Sequence, residues 1–176
     1  MESIDRFLVL GGTRSGKSSY AEEISKHLGC FDYLATLDTS GDEAAAQRVA
    51  LHRKRRADTF ATFELTSPTA LVDHILQAQR PFLLDSLGNF VASSMAKTER
   101  SVGDLVVALR QCSVPWVIVS EEVGLSVHPE TEVGRLFVDR LGNLNQAVAA
   151  VATDVCLVVA GIPLKLKMAP ATRDWC

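Results

Sequence analysis

The stretch Phe7-Leu8-Val9-Leu10-Gly11-Gly12-Thr13-Arg14-Ser15-Gly16-Lys17-Ser18 decides how this chain folds. Its first four residues are apolar without interruption, as in a strand buried on both faces. The spacing G-x-x-x-x-G-K-S from Gly11 to Ser18 then reads as a phosphate-binding loop that opens a helix. In such a loop the backbone N–H groups converge on phosphate oxygens, Lys17 adds a point charge, and the Ser18 hydroxyl serves Mg²⁺. Gly11 and Gly16 supply backbone conformations that a side chain forbids. Gly11, Gly12, Thr13, Arg14, Ser15, Gly16, Lys17 and Ser18 are therefore candidates for holding Mg²⁺ with GTP or ATP.

Outward from the loop, short apolar runs recur from Tyr33 to Leu37, Phe82 to Leu84, Trp116 to Val119 and Val155 to Ala160. Helical patterns lie between them: Lys17 to Leu28, Glu43 to Arg56, Thr69 to Gln79, a pair from Asn89 to Cys112, and Thr131 to Thr153. This alternation predicts an α/β chain, a P-loop NTPase of the RecA-like, three-layer kind with a mainly parallel central sheet. At 176 residues, 1–176 are expected to form a single nucleotide-binding domain. Gly134 and Gly142 fall inside the last helical pattern, and a helix-interior glycine costs about 1 kcal/mol against alanine. They suggest either close packing or a break near Gly142.

A 47% hydrophobic content suits a packed core, and a net charge of −3 gives no general attraction to nucleic acid or to an acidic membrane. Neither is expected as a partner. The cysteines, Cys30, Cys112, Cys156 and Cys176, form no C-x-x-C pair, and no secretory signal precedes residue 7. A reducing cytoplasm is the expected setting. Cys30, Cys112 and Cys156 read as small buried apolar side chains rather than metal ligands. The apolar run from Ala147 to Leu164 is broken by Asp154 and by Gly161-Ile162-Pro163, so no membrane span is expected.

Two further features carry chemistry. Phe82-Leu83-Leu84-Asp85 has the form of a strand that ends on an acid, which places Asp85 at the sheet edge where phosphates and Mg²⁺ collect. Asp85 also suits a cap on the following helix, and the two roles are compatible. The segment Asp42 to Arg56 is strongly helical and ends in His52-Arg53-Lys54-Arg55-Arg56, with Arg48, His52 and Arg56 four apart on one face. Guanidinium neighbours disfavour protonation of His52, leaving a neutral imidazole able to attack an α-phosphate. On spacing alone, a solvated basic face at a helix C-terminus is the commoner outcome. His27, His74 and His128 have no comparable surroundings.

These motifs resemble one family, the bifunctional adenosylcobinamide kinase / adenosylcobinamide-phosphate guanylyltransferases of cobalamin (vitamin B12) biosynthesis. The resemblance runs through LGGTRSGKSSYAE, YLATLDTSGDEAAAQRVALHRKRR, LLDSLGNFVASSM and VIVSEEVGLSVHPETEVGRLFVDRLGNLNQAVAAVATDVCLVVAGIPLKLK. It implies that the hydroxyl of the aminopropanol arm of adenosylcobinamide takes the γ-phosphate of ATP or GTP. His52 would then accept GMP from GTP, release pyrophosphate, and pass GMP to adenosylcobinamide phosphate to give adenosylcobinamide-GDP. Carried over by position, Thr36 and Leu37 border the nucleotide, and Arg53, Lys54, Arg55 and Arg56 follow the nucleophile in its site. Glu64 matches a position thought to contact guanine or ribose, and Asp85 matches the acid of the third strand. A carboxylate suits guanine because it accepts from N1–H and the exocyclic amine together. Family members look like trimers with nucleotide sites near subunit interfaces.

The chain departs from the family pattern at Thr13, usually Ala, and at Ser86-Leu87-Gly88 and Ser93, often Cys-Leu-Thr and Asn. It departs again at Glu121-Glu122-Val123-Gly124, in most members Asn-Glu-Val-Gly, which puts an extra carboxylate near a strand end. Two alternatives compete with the family reading: a small-molecule kinase whose basic helix only binds phosphate, and a RecA-like module that binds DNA through Arg53 to Arg56. The acidic net charge, and the lack of aromatic residues interleaved with the basic cluster, argue against the second.

Overall fold

The structure, a computed structural model, describes residues 4–37, 59–95, 102–125 and 127–168. Within them the apolar runs form strands β1 (Arg6–Gly11), β2 (Asp32–Ala35), β4 (Phe82–Asp85), β5 (Trp116–Glu121) and β6 (Asp154–Val159). Two more strands, β3 (Ala61–Glu64) and β7 (Ile162–Lys167), lie where the apolar pattern predicts none. The helices are α1 (Lys17–His27), α2 (Pro68–Leu76), α3 (Leu87–Met95), α4 (Val102–Gln111) and α5 (Glu132–Val151). The helical pattern from Glu43 to Arg56 lies outside the described residues.

The seven strands form one sheet in the order β3-β2-β4-β5-β1-β6-β7. Every neighbouring pair is parallel except β6 and β7, which form an antiparallel hairpin at one edge. Strand β5 stands between the P-loop strand β1 and the acid-bearing strand β4. The ends of β1 and β4 are therefore not adjacent, and β5 supplies the surface between them.

Alternation along each strand sorts the core into two faces. Leu8, Leu10, Leu34, Phe82, Leu84, Trp116 and Ile118 pack with α2, α3, α4 and α5. Phe7, Val9, Tyr33, Leu83, Val117 and Val119 pack with Ala21 and Ile24 of α1. Helix α2 starts on Ser67, whose hydroxyl accepts from the N–H of Ala70 at 3.4 Å, with Pro68 in the first turn where its missing N–H costs nothing. Helix α5 runs unbroken through Gly142, and a Cβ at Gly142 would meet nothing within 4 Å. Neither close packing nor a break operates there. Gly134 is the close-packed one, since a Cβ would approach Pro129 Cβ at 2.8 Å. Cys30 and Cys112 are buried free thiols, whereas Cys156, also buried, is disulfide-bonded, which corrects its reading as a plain apolar side chain. Among the described residues no helix is long and apolar enough to cross a membrane.

Candidate active site at the P-loop edge of the sheet

The loop after β1 closes on itself through short-range bonds. The N–H of Ser15 donates to the Gly12 carbonyl at 3.3 Å, and Lys17 Nζ donates back to the same carbonyl at 3.3 Å. Arg14 (φ 57°) and Gly16 (φ 96°) take left-handed conformations, the second at the entry to α1. Gly16 gives helix α1 no side-chain cap, and the Lys17 N–H makes only a long bond of 3.4 Å to Ser15 Oγ, so the helix start faces the loop. Gly11 is needed for space: a Cβ there would overlap Ser15 Oγ and approach the Val158 carbonyl at 2.9 Å. A floor is supplied by the β6–β7 turn, where the N–H of Gly161 donates to the Ser15 carbonyl at 2.7 Å. The motif's residues, Gly11 to Ser18, are thus brought together by one strand end, one loop and one helix start.

Asp85 ends β4 on the α1 face, and Tyr33 Oη donates to its Oδ2 at 2.6 Å. Capping of α3 falls to another residue: the N–H of Gly88 donates to Glu121 Oε2 at 3.0 Å. Thr36, 2% exposed, spends its hydroxyl on protein rather than nucleotide, accepting from the Ser86 N–H at 2.9 Å and donating to the Ser86 carbonyl at 2.8 Å. It ties the end of β2 to the end of β4. Leu37 beside it is 39% exposed.

Glu64 ends β3, the sheet edge far from the loop. Four strand steps separate β3 from β1, about 19 Å at the usual spacing. Glu64 is therefore not gathered with the loop. His52, Arg53, Lys54, Arg55 and Arg56 lie outside the described residues.

Glu121, which the sequence marks only as an added carboxylate near a strand end, is brought to the loop by the fold. Its carboxylate accepts from Ser86 Oγ at 2.9 Å and stands 4.0 Å from Lys17 Nζ. Asn145 of α5, 8% exposed, locks that strand end: its Nδ2 donates to the Glu121 carbonyl at 3.0 Å and its Oδ1 accepts from Ser120 Oγ at 2.6 Å. The sequence signal for Glu121 is its departure from the Asn-Glu-Val-Gly pattern, and for Asn145 the L-N-Q run.

A family model described as "Cobinamide kinase / cobinamide phosphate guanyltransferase" matches residues 7–166, from β1 into β7. The chain belongs to this family. It is 34% identical to the bifunctional adenosylcobalamin biosynthesis protein CobU of Salmonella typhimurium, over 91% of this chain and 98% of that one. It is 36% identical to the bifunctional adenosylcobalamin biosynthesis protein CobP of Pseudomonas aeruginosa, over 94% and 99%. The Escherichia coli CobU is 32% identical over 91% and 98%. Among solved structures, the DnaC helicase loader covers 88% of this chain and 78% of its own with a TM-score of 0.42 and 14% identity, a likeness too loose to bear on function.

Proposed function

We propose that this chain is a bifunctional enzyme of cobalamin biosynthesis acting on adenosylcobinamide. The family match from residue 7 to 166 carries the reading, and the closed P-loop beneath Lys17 supports it. In the kinase step the hydroxyl oxygen of the aminopropanol arm attacks the γ-phosphorus of ATP or GTP. The bond to the β-phosphate oxygen breaks, the nucleoside diphosphate leaves, and the hydroxyl proton passes to solvent. Gly11 to Ser18 hold the phosphates, and Lys17 offsets the charge that develops on them.

In the second step a neutral His52 attacks the α-phosphorus of GTP and releases pyrophosphate. A phosphate oxygen of adenosylcobinamide phosphate then takes GMP from the histidine, giving adenosylcobinamide-GDP and free His52. Arg53, Lys54, Arg55 and Arg56 neutralise the triphosphate, Thr36 and Leu37 border it, and Glu64 reads guanine. Because Glu64 is about four strand widths from the P-loop, guanine recognition and P-loop phosphate binding belong to separate parts of the site.

Mg²⁺ travels with the nucleotide. The residues present fit it, since the Ser18 hydroxyl and the Asp85 carboxylate are hard oxygen donors, and Mg²⁺ bound through phosphates needs few protein ligands. It supplies charge neutralisation on the phosphates. The whole chain, 1–176, acts as one domain in the cytoplasm. A homotrimer belongs to the same proposal, and edge strand β7, with Ile162, Leu164 and Leu166 at least half exposed, offers an apolar face for self-association.

Exposure to α-labelled GTP and Mg²⁺ tests the transfer step. The expected result is acid-labile, base-stable GMP on the protein, mapped by mass spectrometry to His52 and absent from His52→Ala, which keeps γ-phosphate transfer to adenosylcobinamide. Phosphorylation without any protein-bound GMP would leave a monofunctional kinase.

A further inference from the structure

The carboxylate facing the P-loop lysine sits on the strand between the two motif strands. Glu121 closes β5 in register with Gly11, the first residue of the P-loop. Alternation puts it on the same face as Val119, and hence as α1. Its Oε1 is 4.0 Å from Lys17 Nζ, the two side chains being 32% and 13% exposed.

The charge is fixed in place. Ser86 Oγ lies within 2.9 Å of Oε1 and 3.1 Å of Oε2, and the N–H of Gly88 donates to Oε2 at 3.0 Å. Ser86 is clamped in turn by Thr36. At Gly88 a Cβ would overlap Glu121 Oε2, so the helix start fits the carboxylate only because glycine stands there. Lys17 is less constrained, held by the Gly12 carbonyl at 3.3 Å and by its distance-limited pairing with Glu121. A triphosphate in the loop draws Lys17 to its terminal phosphates. Glu121 stays behind, a negative charge beside a polyanion.

We propose that Glu121 makes this site select the triphosphate carrying its divalent cation over the metal-free nucleotide. The inference rests on nucleotide binding at the P-loop as given under Proposed function, and is independent of guanylyl transfer through His52. A bound divalent cation removes two units of negative charge from the phosphates, so repulsion by Glu121 falls mainly on the metal-free form. A hydrated cation also offers the carboxylate hydrogen-bond donors, whereas bare phosphate oxygens offer none.

The test is calorimetric titration of the full chain with a non-hydrolysable GTP analogue, once with Mg²⁺ and once with excess chelator. Glu121→Gln keeps the shape and removes the charge. The ratio of metal-free to metal-bound Kd is expected to fall about tenfold in it, through tighter metal-free binding. Ser86→Ala, which keeps the charge, is expected to hold the ratio within about twofold of wild type. Glu121→Asn carries the same expectation as Glu121→Gln and replaces it should the latter fail to fold. A ratio unchanged in the charge-free variant, with both nucleotide forms binding, would overturn the proposal alone. Absence of binding by either form in the wild type would overturn the P-loop reading together with it.

Discussion

Tyr33 on β2 and Asp85 on β4 are joined by a 2.6 Å hydrogen bond from the phenol to the carboxylate across two neighbouring parallel strands. The tyrosine is 3% exposed and packs edge-on against Phe60 with ring centroids 5.9 Å apart. It has little freedom, so it presets where the carboxylate points. A strand-end acid that is merely solvated would sample several rotamers; this one is aimed before any ligand arrives.

Removing the donor separates stability from function. Tyr33→Phe is expected to cost about 1.5–3 kcal/mol, the net value of a hydrogen bond to a charged group. That is a drop in melting temperature of about 2–4 °C per kcal/mol for a chain of this size. It should also raise the Mg²⁺ concentration needed for half-maximal kinase activity, because Asp85 loses its orientation. Asp85→Asn keeps the acceptor and loses the charge, so its melting loss should be smaller and its Mg²⁺ shift larger. Melting curves and Mg²⁺ titrations of both variants check this; a Mg²⁺ requirement unmoved in either would remove Asp85 from the cation's surroundings.

A second prediction concerns alkaline pH. Burial, with a lesser contribution from the Asp32 carboxylate, pushes the Cys30 thiol from its ordinary 9.0 up to about 12, against a lowering hydrogen bond with Ser25. Burial likewise raises Cys112. Because the folded values lie above the unfolded ones, the stability contributed is complete below about pH 9 and is lost as pH rises toward 12. Denaturant midpoints should therefore fall across that window, and Cys30→Ala should flatten the fall in part, with Cys112 and the Tyr20 phenol, both also raised chiefly by burial, contributing to the rest. In the native protein at pH 8, iodoacetamide should leave Cys30 and Cys112 unmodified until denaturant is added. Rapid native alkylation of Cys30 would contradict this.

What sequence reading recovers, and what it misses, follows from burial. Strands β1, β4 and β5 are covered on both faces, so they appear as unbroken apolar runs that need no partner to be recognised. Strand β3 is an edge of four residues, Ala61 to Glu64, none fully buried, and carries no such run. Strand β7 alternates Ile-Pro-Leu-Lys-Leu-Lys, a two-residue period, but abuts the apolar β6 and reads as its broken continuation. Its proline is tolerated because β7 is an edge. At the site, the P-loop is legible because its spacing is local. The pairing of Lys17 with Glu121 joins residues 104 positions apart and depends on β5 being inserted between β1 and β4, which no local pattern records.

The β6–β7 turn offers a last test, since it links that hairpin to nucleotide binding. Ala160 (φ 52°) and Gly161 (φ 80°) are both left-handed, as a two-residue hairpin turn between Val159 and Ile162 requires. A Cβ at Gly161 would meet nothing within 4 Å, whereas a Cβ at Gly16 would come within 3.2 Å of Gly161 Cα. Gly161→Ala thus incurs only left-handed strain, about 1–2 kcal/mol, and leaves the N–H that donates to Ser15 in place. Nucleotide affinity should stay within about threefold of wild type, since less than 1 kcal/mol of binding is at stake. Gly16→Ala adds crowding against the turn to strain at φ 96° inside the loop itself. Its nucleotide affinity should fall at least about tenfold, a loss of 1.4 kcal/mol or more. Calorimetric Kd values and melting temperatures for the two variants decide the matter: equal losses of affinity would mean that the loop takes its shape from the hairpin rather than from its own glycine.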